Sequence, residues 1–211
     1  MSESGNLITE KRAIGILTDC MTKIQKQMAN LSAEDTAKLE NVTGLLWTRK
    51  MDKDNYIEPQ ESKSLEYDVN RAASYIIVNQ LLFYHLLQYH QPEKYQKPLK
   101  PISNIEDPAL FKEYFNDIQQ SSGEGDYKAV FGIDLLSILP KTKNMVEAIN
   151  QVIELIVSSE IEQVNQDILG KIFHNMIPKE IRKRIAAYYT SNSAGQLLAR
   201  FSIDKPESIV M

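Results

Sequence analysis

The feature that most constrains the fold is a long apolar stretch between residues 63 and 90. Its apolar side chains recur at the spacing of one face of an α-helix. One stripe contains Leu65, Val69, Ala73, Ile76, Phe83 and Leu87, and it is widened by Ile77, Leu81 and Tyr84. A stripe this broad predicts a helix that is buried among other helices. The stretch therefore predicts a helical assembly and not a sheet.

Similar spacing elsewhere predicts further helices at 5–30, 32–50, 110–118, 142–157 and 160–175. Ser32 stands where an N-cap is expected, and Ser159 precedes Glu162 at the spacing of a capping box. Residues 51–62 are polar and predict a linker, whereas 121–140 predicts a loop with brief helical turns. An extended connection is predicted where four prolines cluster, at Pro92, Pro98, Pro101 and Pro108. We therefore predict a mainly α fold.

Charge and cysteine content limit the function classes. The net charge of −4 disfavours attraction of nucleic acid by the chain as a whole and leaves only a local basic patch for that role. Cys20 is the only cysteine, so the chain forms no internal disulfide and no cysteine metal cluster. The N-terminus lacks the order of a secretory signal, and Asn79, Gln80 and His85 interrupt the most apolar stretch. We expect a cytoplasmic protein without a membrane partner.

Familiar catalytic patterns do not occur in these 211 residues. There is no phosphate-binding Gly-x-x-x-x-Gly-Lys-Ser/Thr run and no His-Glu-x-x-His helix. Gly123 and Gly125 begin a dinucleotide-like pattern, but Lys128 replaces its third glycine, which indicates a loop. The histidines share no pattern of metal ligands and are interpreted as packed or surface side chains: His85, His90 and His174.

The residues from Pro178 onward predict an amphipathic helix with a basic face. Pro178 suits the first helical position. An advance of about 100° per residue then places Lys179, Arg182 and Lys183 opposite the apolar side. Such a face is either a solvated surface or a contact for a phosphate backbone. The residues alone leave both interpretations open.

Tyr188, Tyr189 and Thr190 form the junction between this helix and the next predicted helix. Thr190 can serve as the N-cap of a helix whose apolar face runs from Ala194 to Phe201. The N-terminus of a helix attracts a carboxylate or a phosphate, and the tyrosines would lie beside that anion. The alternative is structural: one tyrosine packs in the core, the other is half-exposed, and Thr190 only caps.

The run from Asp167 to Ile203 resembles the segment that leads into the catalytic domain of adenine-specific DNA methyltransferases. These enzymes of restriction–modification systems use S-adenosyl-L-methionine (SAM), and they include type I modification subunits and fused restriction–methylation enzymes. The matching positions are Asp167, Leu169, Gly170, Ile177, Pro178, Arg182, Lys183, Tyr188, Tyr189 and Thr190. Ser191 departs from the family pattern, where proline is usual, and so does Ala186, where glycine is usual. A weaker likeness extends over about 63–211.

The resemblance implies the N-terminal part of an enzyme that transfers a methyl group from SAM to adenine N6 in DNA. It implies that Tyr188, Tyr189 and Thr190 contact the methionine side of SAM. DNA is the implied partner, together with a specificity or restriction subunit. The basic face would then supply the DNA contacts, from Lys179, Arg182 and Lys183.

Two motifs of that family do not occur in these residues: the acidic-Pro-x-x-Gly-x-Gly cofactor loop and the Pro-Pro-aromatic motif that receives the flipped adenine. Residues 208–211 resemble the beginning of the strand that precedes the cofactor loop. We therefore expect N-terminal helices with a polar linker over 1–60 and a central helical region over 61–176. Residues 177–211 would be the truncated start of a Rossmann-like methyltransferase domain. As such a fragment, the chain is expected to be non-catalytic and to bind SAM weakly or not at all.

A second hypothesis belongs to a different class: a stand-alone, non-catalytic helical module for protein–protein interaction, derived from such an enzyme. The acidic total charge and the several helical faces suit this role. A helical DNA-binding domain that acts alone is disfavoured by the net charge of −4.

Overall fold

The computed structural model describes residues 10–29, 31–47, 62–116, 118 and 130–161. Its elements are α1 (Glu10–Gln27), α2 (Ala33–Trp47), α3 (Ser62–His90), a 3₁₀ helix (Pro108–Tyr114) and α4 (Lys143–Ser158). No strand occurs among the described residues, which confirms the mainly α prediction for this part of the chain. None of the helices there is long and apolar enough to cross a membrane. The elements predicted beyond residue 161, including the Rossmann-like part, lie outside the described residues.

The third helix, α3, is the centre of the core. Both α1 and α2 pack against it, and α4 packs against α1 and α3. From Val69 to Leu87 nearly all side chains of α3 are buried, with Ala73 and Leu81 fully inaccessible. The broad apolar stripe therefore belongs to a helix that other elements surround, as its width predicts.

The second helix begins at the predicted cap. The Asp35 amide N–H donates to Ser32 Oγ over 3.1 Å, so Ser32 is the N-cap of α2. The preceding helix, α1, ends at Gln27, earlier than its apolar pattern predicts. A side chain from α3 acts at that end, because Asn70 Nδ2 donates to the Met28 carbonyl over 3.3 Å. This long-range bond takes a carbonyl that a longer α1 would use itself.

The fourth helix has a polar cap at each end. At its start, the Met145 amide N–H donates to Thr142 Oγ1 over 3.2 Å. At its end, Ser159 Oγ donates to a carbonyl of the last turn over 2.8 Å, and Glu160 follows with a φ of 53°. Ser159 therefore closes α4, whereas the predicted capping box made it the start of the next helix. Glu162, the other half of that box, lies outside the described residues.

The proline-rich segment between α3 and the 3₁₀ helix is called the connector here (residues 91–107). After a turn at 92–94 it forms neither helix nor strand, as its prolines predict. Leu99 is buried, whereas Pro98 and Pro101 on either side of it are exposed. The connector is thus anchored to the core through the apolar side chain of Leu99.

The short helix predicted at 110–118 begins earlier and has 3₁₀ geometry. Its first residue is Pro108, and the Ala109 amide N–H donates to Asp107 Oδ1 over 3.0 Å. A proline is tolerated at this position because the first amides of a helix have no partner within the helix. The Asp-Pro step therefore starts a helix at the residue that we assigned to the extended connection.

Gly15 offers a test of the described packing of α1. It lies on an exposed face in the middle of the helix, and a Cβ added there meets nothing within 4 Å. We expect Gly15→Ala to raise the free energy of unfolding by about 1 kcal/mol, because alanine restricts the unfolded chain more and favours the helix. Urea denaturation would measure the change. Gly15→Thr should gain less stability, since a β-branched side chain is restricted in a helix. A loss of stability in Gly15→Ala would show that the position is not open in the folded protein.

Candidate functional site

The site residues predicted from the sequence lie outside the residues that the structure describes. This holds for the predicted SAM contacts and for the predicted DNA contacts: Tyr188, Tyr189, Thr190, Lys179, Arg182 and Lys183. The structure therefore neither brings them together nor separates them, and these assignments stay predictions. The described residues contain polar arrangements of their own, on α3, on the 3₁₀ helix and in the segment before α4.

A buried amide on α3 organises the most polar part of the described core. Gln80 is 1% exposed, and its Nε2 donates to the carbonyls of Val130 and Ile133 over 2.8 and 2.9 Å. Both amide hydrogens of the side chain are therefore used. Because these acceptors lie about fifty positions along the chain, Gln80 fixes the segment 130–133 against the central helix.

An ion pair and a serine lie beside this segment. Lys112 of the 3₁₀ helix forms an ion pair with Asp134, and its Nζ also donates to Ser137 Oγ over 3.1 Å. Ser137 in turn donates from Oγ to Asp134 Oδ2 over 2.9 Å and from its amide to Asp134 Oδ1 over 3.2 Å. We call these three residues the Lys112–Asp134–Ser137 cluster.

The electrostatics of this cluster indicate a structural role. Burial would raise the pKa of Asp134, but hydrogen bonds from Lys112 and Ser137 outweigh it and hold that pKa below its ordinary value. A carboxylate with a lowered pKa is a weak base, and Lys112 is already paired with it. A serine nucleophile needs a positioned base, which neither side chain supplies. The cluster therefore joins the 3₁₀ helix to residues 134–137 and does not resemble a catalytic site.

A small cavity adjoins the same residues, between Gln80, Lys112 and Asp134 on its polar side and Phe115 and Phe131 on its apolar side. Its volume of about 10 Å³ has room for about one water molecule. A nucleoside cofactor such as SAM is many times larger than this space. The cavity is consequently no candidate for the predicted SAM site.

The thiol of Cys20 is not a reactive group in this fold. Cys20 is fully buried on α1. Burial, followed by the neighbouring charge of Asp19, raises the pKa of the thiol to about 12. Because the thiolate is the nucleophile, a thiol that stays protonated at neutral pH is inert. Cys20 acts as a small apolar side chain of the core.

The two histidines of α3 have different surroundings. His85 is buried, whereas His90 is exposed and its ring meets that of Tyr89 edge-on at 5.2 Å. No group of three potential metal-ligating side chains occurs among the described residues. His85 is thus a packed side chain and His90 a surface side chain, whereas His174 lies outside the described residues.

Sequence patterns did not identify Gln80 or the Lys112–Asp134–Ser137 cluster. One local signal was present: Asp134 precedes Ser137 at the spacing at which a carboxylate accepts from a backbone amide. The other contacts join residues that are 22 to 53 positions apart, so no local pattern contains them.

The Lys112–Asp134–Ser137 cluster predicts a dependence of stability on pH. The lowered pKa of Asp134 gives the folded state stability that is present above the unfolded pKa of about 3.9 and is lost as the pH falls towards the folded pKa. Its side chain is 43% exposed, so the contribution is about 1 kcal/mol or less. We expect Asp134→Asn to be less stable at neutral pH and to lose less stability on acidification than the unmodified protein. Urea unfolding at a series of pH values would measure this, with Glu154→Gln as the control on an exposed face. Equal acid dependence in Asp134→Asn and the unmodified protein would contradict it.

Comparison with known proteins adds no assignment to this geometry. No family model, no curated protein and no solved structure matches the chain.

Proposed function

We propose that this chain is the N-terminal helical part of a SAM-dependent DNA adenine-N6 methyltransferase of a restriction–modification system. The observation that carries the proposal is the run of matching positions from Asp167 to Thr190. The mainly helical architecture of the described residues is consistent with it but does not distinguish it from other helical proteins. In this proposal the chain is cytoplasmic, DNA is the substrate, and a specificity or restriction subunit is a further partner.

The physical basis for a SAM contact lies in Thr190. As the N-cap of a helix, it would leave free backbone amides and a partial positive charge for the carboxylate of the methionine group. Tyr188 and Tyr189 would line the aliphatic and sulfonium part, since aromatic faces attract cations. These residues bind and orient; the residue that receives the adenine belongs to a motif that does not occur in these 211 residues.

The second candidate is a non-catalytic helical interaction module. One observation favours it: the described residues from Ala13 to Ile161 form one continuous apolar core, to which the four α-helices, the connector and the 3₁₀ helix all contribute. A core that these residues close among themselves is what a stand-alone module requires. The two candidates differ in whether the gene also encodes the cofactor loop and the Pro-Pro-aromatic motif.

The first test is to read the gene beyond the codon for Met211 and to assay the protein that the complete reading frame encodes. The proposal expects both missing motifs there, and transfer of labelled methyl groups from SAM to adenine in DNA. Thr190→Ala should raise the KM for SAM up to about tenfold, because the free energy of one N-cap corresponds to about that factor in affinity. Ser193→Ala, within the first turn that Thr190 would cap, is the matched control. A reading frame without these motifs, together with no methyl transfer, would favour the interaction module.

The basic face makes a separate prediction about DNA affinity. If Lys179, Arg182 and Lys183 bind phosphates, replacing them with glutamine releases fewer counterions on binding. The slope of log affinity against log salt concentration should then fall in magnitude by about 0.9 for each phosphate that is no longer neutralised. Fluorescence anisotropy with a DNA duplex at several salt concentrations would measure the slope. An unchanged slope would identify this face as a solvated surface.

A further inference from the structure

Side chains, not backbone ladders, hold the middle of the connector. Between Gln96 and Glu106 no backbone–backbone hydrogen bond joins the connector to another described element. Three side chains from three different elements bond to its backbone instead: Tyr84 of α3, Tyr114 of the 3₁₀ helix and Asn150 of α4. An extended segment with these anchors can detach without breaking any helix.

The two tyrosines bind carbonyls that are three residues apart. Tyr84 Oη donates to the Lys97 carbonyl over 2.6 Å. Tyr114 Oη donates to the Lys100 carbonyl over 2.8 Å and accepts from the Lys100 amide over 3.3 Å. The rings of the two tyrosines pack together with centroids 5.4 Å apart. Because the rings are in contact, a displacement of one tyrosine side chain also displaces the other.

Asn150 holds the next part of the connector as a backbone strand would. Its Nδ2 donates to the Ile102 carbonyl over 2.9 Å, and its Oδ1 accepts from the Ile102 amide over 2.9 Å. Between these anchors, Leu99 is 3% exposed. The side chain of Lys97 adds an ion pair with Glu113 at 2.7 Å.

The segment between the anchors is stiff. Pro98 and Pro101 have a fixed φ, and the residues before them, Lys97 and Lys100, are restricted to extended conformations. A stiff extended chain transmits a displacement along its length, whereas a flexible one would absorb it. Release at Lys97 should therefore disturb the bonds at Lys100 and Ile102.

We propose that residues 97–102 form a strap that closes and opens as one cooperative unit over Tyr84, Tyr114 and Asn150 while the helices stay folded. Local opening of such units at a lower free energy than global unfolding is common in proteins. The open state exposes two tyrosine hydroxyls and a side-chain amide in a row beside the site of Leu99. These groups suit the carbonyls of an extended, proline-bearing peptide, and in the closed state the chain's own strap occupies them.

Hydrogen exchange of the Lys100 and Ile102 amides, followed by NMR, tests the cooperative opening. The variant is Tyr84→Phe, which removes a hydroxyl that bonds to neither of these amides. We expect both amides to exchange faster by the same factor, about fivefold, which is the effect of one hydrogen bond on the opening equilibrium. Opening of the strap alone exposes little surface, so exchange of both amides should depend only weakly on urea concentration, whereas core amides that exchange by global unfolding, such as those of Leu17 and Ile153, should depend on it steeply.

Two further variants make the test decisive. Tyr89→Phe removes an exposed tyrosine hydroxyl from the same helix and should leave both amides unchanged. Leu99→Ala removes the buried apolar anchor and keeps the tyrosine and asparagine bonds to the strap, and it should accelerate both amides by one common factor. Unchanged rates at Lys100 and Ile102 in Tyr84→Phe, or acceleration of the two amides by different factors, would overturn the cooperative strap. A urea dependence of the strap amides as steep as that of the core amides would overturn it as well, since the opening would then be global.

Discussion

The structure depends on the burial of α3, because a polar side chain on a buried helix needs a hydrogen-bond partner within the fold, and several of those on α3 find it on another element. Asn70 bonds to the Met28 carbonyl beyond the end of α1, and Gln80 bonds to the segment 130–133. Tyr84 bonds to the connector. The same helix that supplies the apolar core thus positions three neighbouring segments through its polar side chains. A shift of α3 along its axis would unpair all of them at once, so these bonds fix its register.

This arrangement costs folding free energy at two positions. The Oδ1 atoms of Asn70 and Asn79 are buried and accept no hydrogen bond from the described residues. An unpaired buried acceptor costs about 1–3 kcal/mol. The amide of Asn79 donates within its own helix, to the Tyr75 carbonyl, whereas the amide of Asn70 donates to the Met28 carbonyl, just beyond the end of α1. For Asn70, the same side chain also makes the long-range hydrogen bond that positions the end of α1. A leucine of similar size would avoid the unpaired acceptor but could not form this bond.

Periodicity predicted which segments are helical, and long-range contacts decided where some of them end. The cap at Ser32 was predictable, since the bond lies within one turn. The end of α1 was not, because its partner Asn70 is 42 positions away. Proline chemistry predicted the extended connector but not its anchors, whose residues come from three elements. The proposed SAM and DNA contacts come from resemblance alone, and only a sequence pattern, not a described geometry, supports them.

The continuity of the core limits how α1 and α2 can act in either proposed role. We placed residues 1–60 apart from the central helical region on the strength of the polar linker at 51–62. In the structure, Leu17 and Ile24 of α1 belong to the same buried cluster as Leu81 of α3 and Ile153 of α4. Substitutions in the core of α1 should therefore alter activity or partner binding through the stability of the whole cluster. A substitution at Thr190 would instead act on one contact, so measuring stability alongside binding separates the two effects.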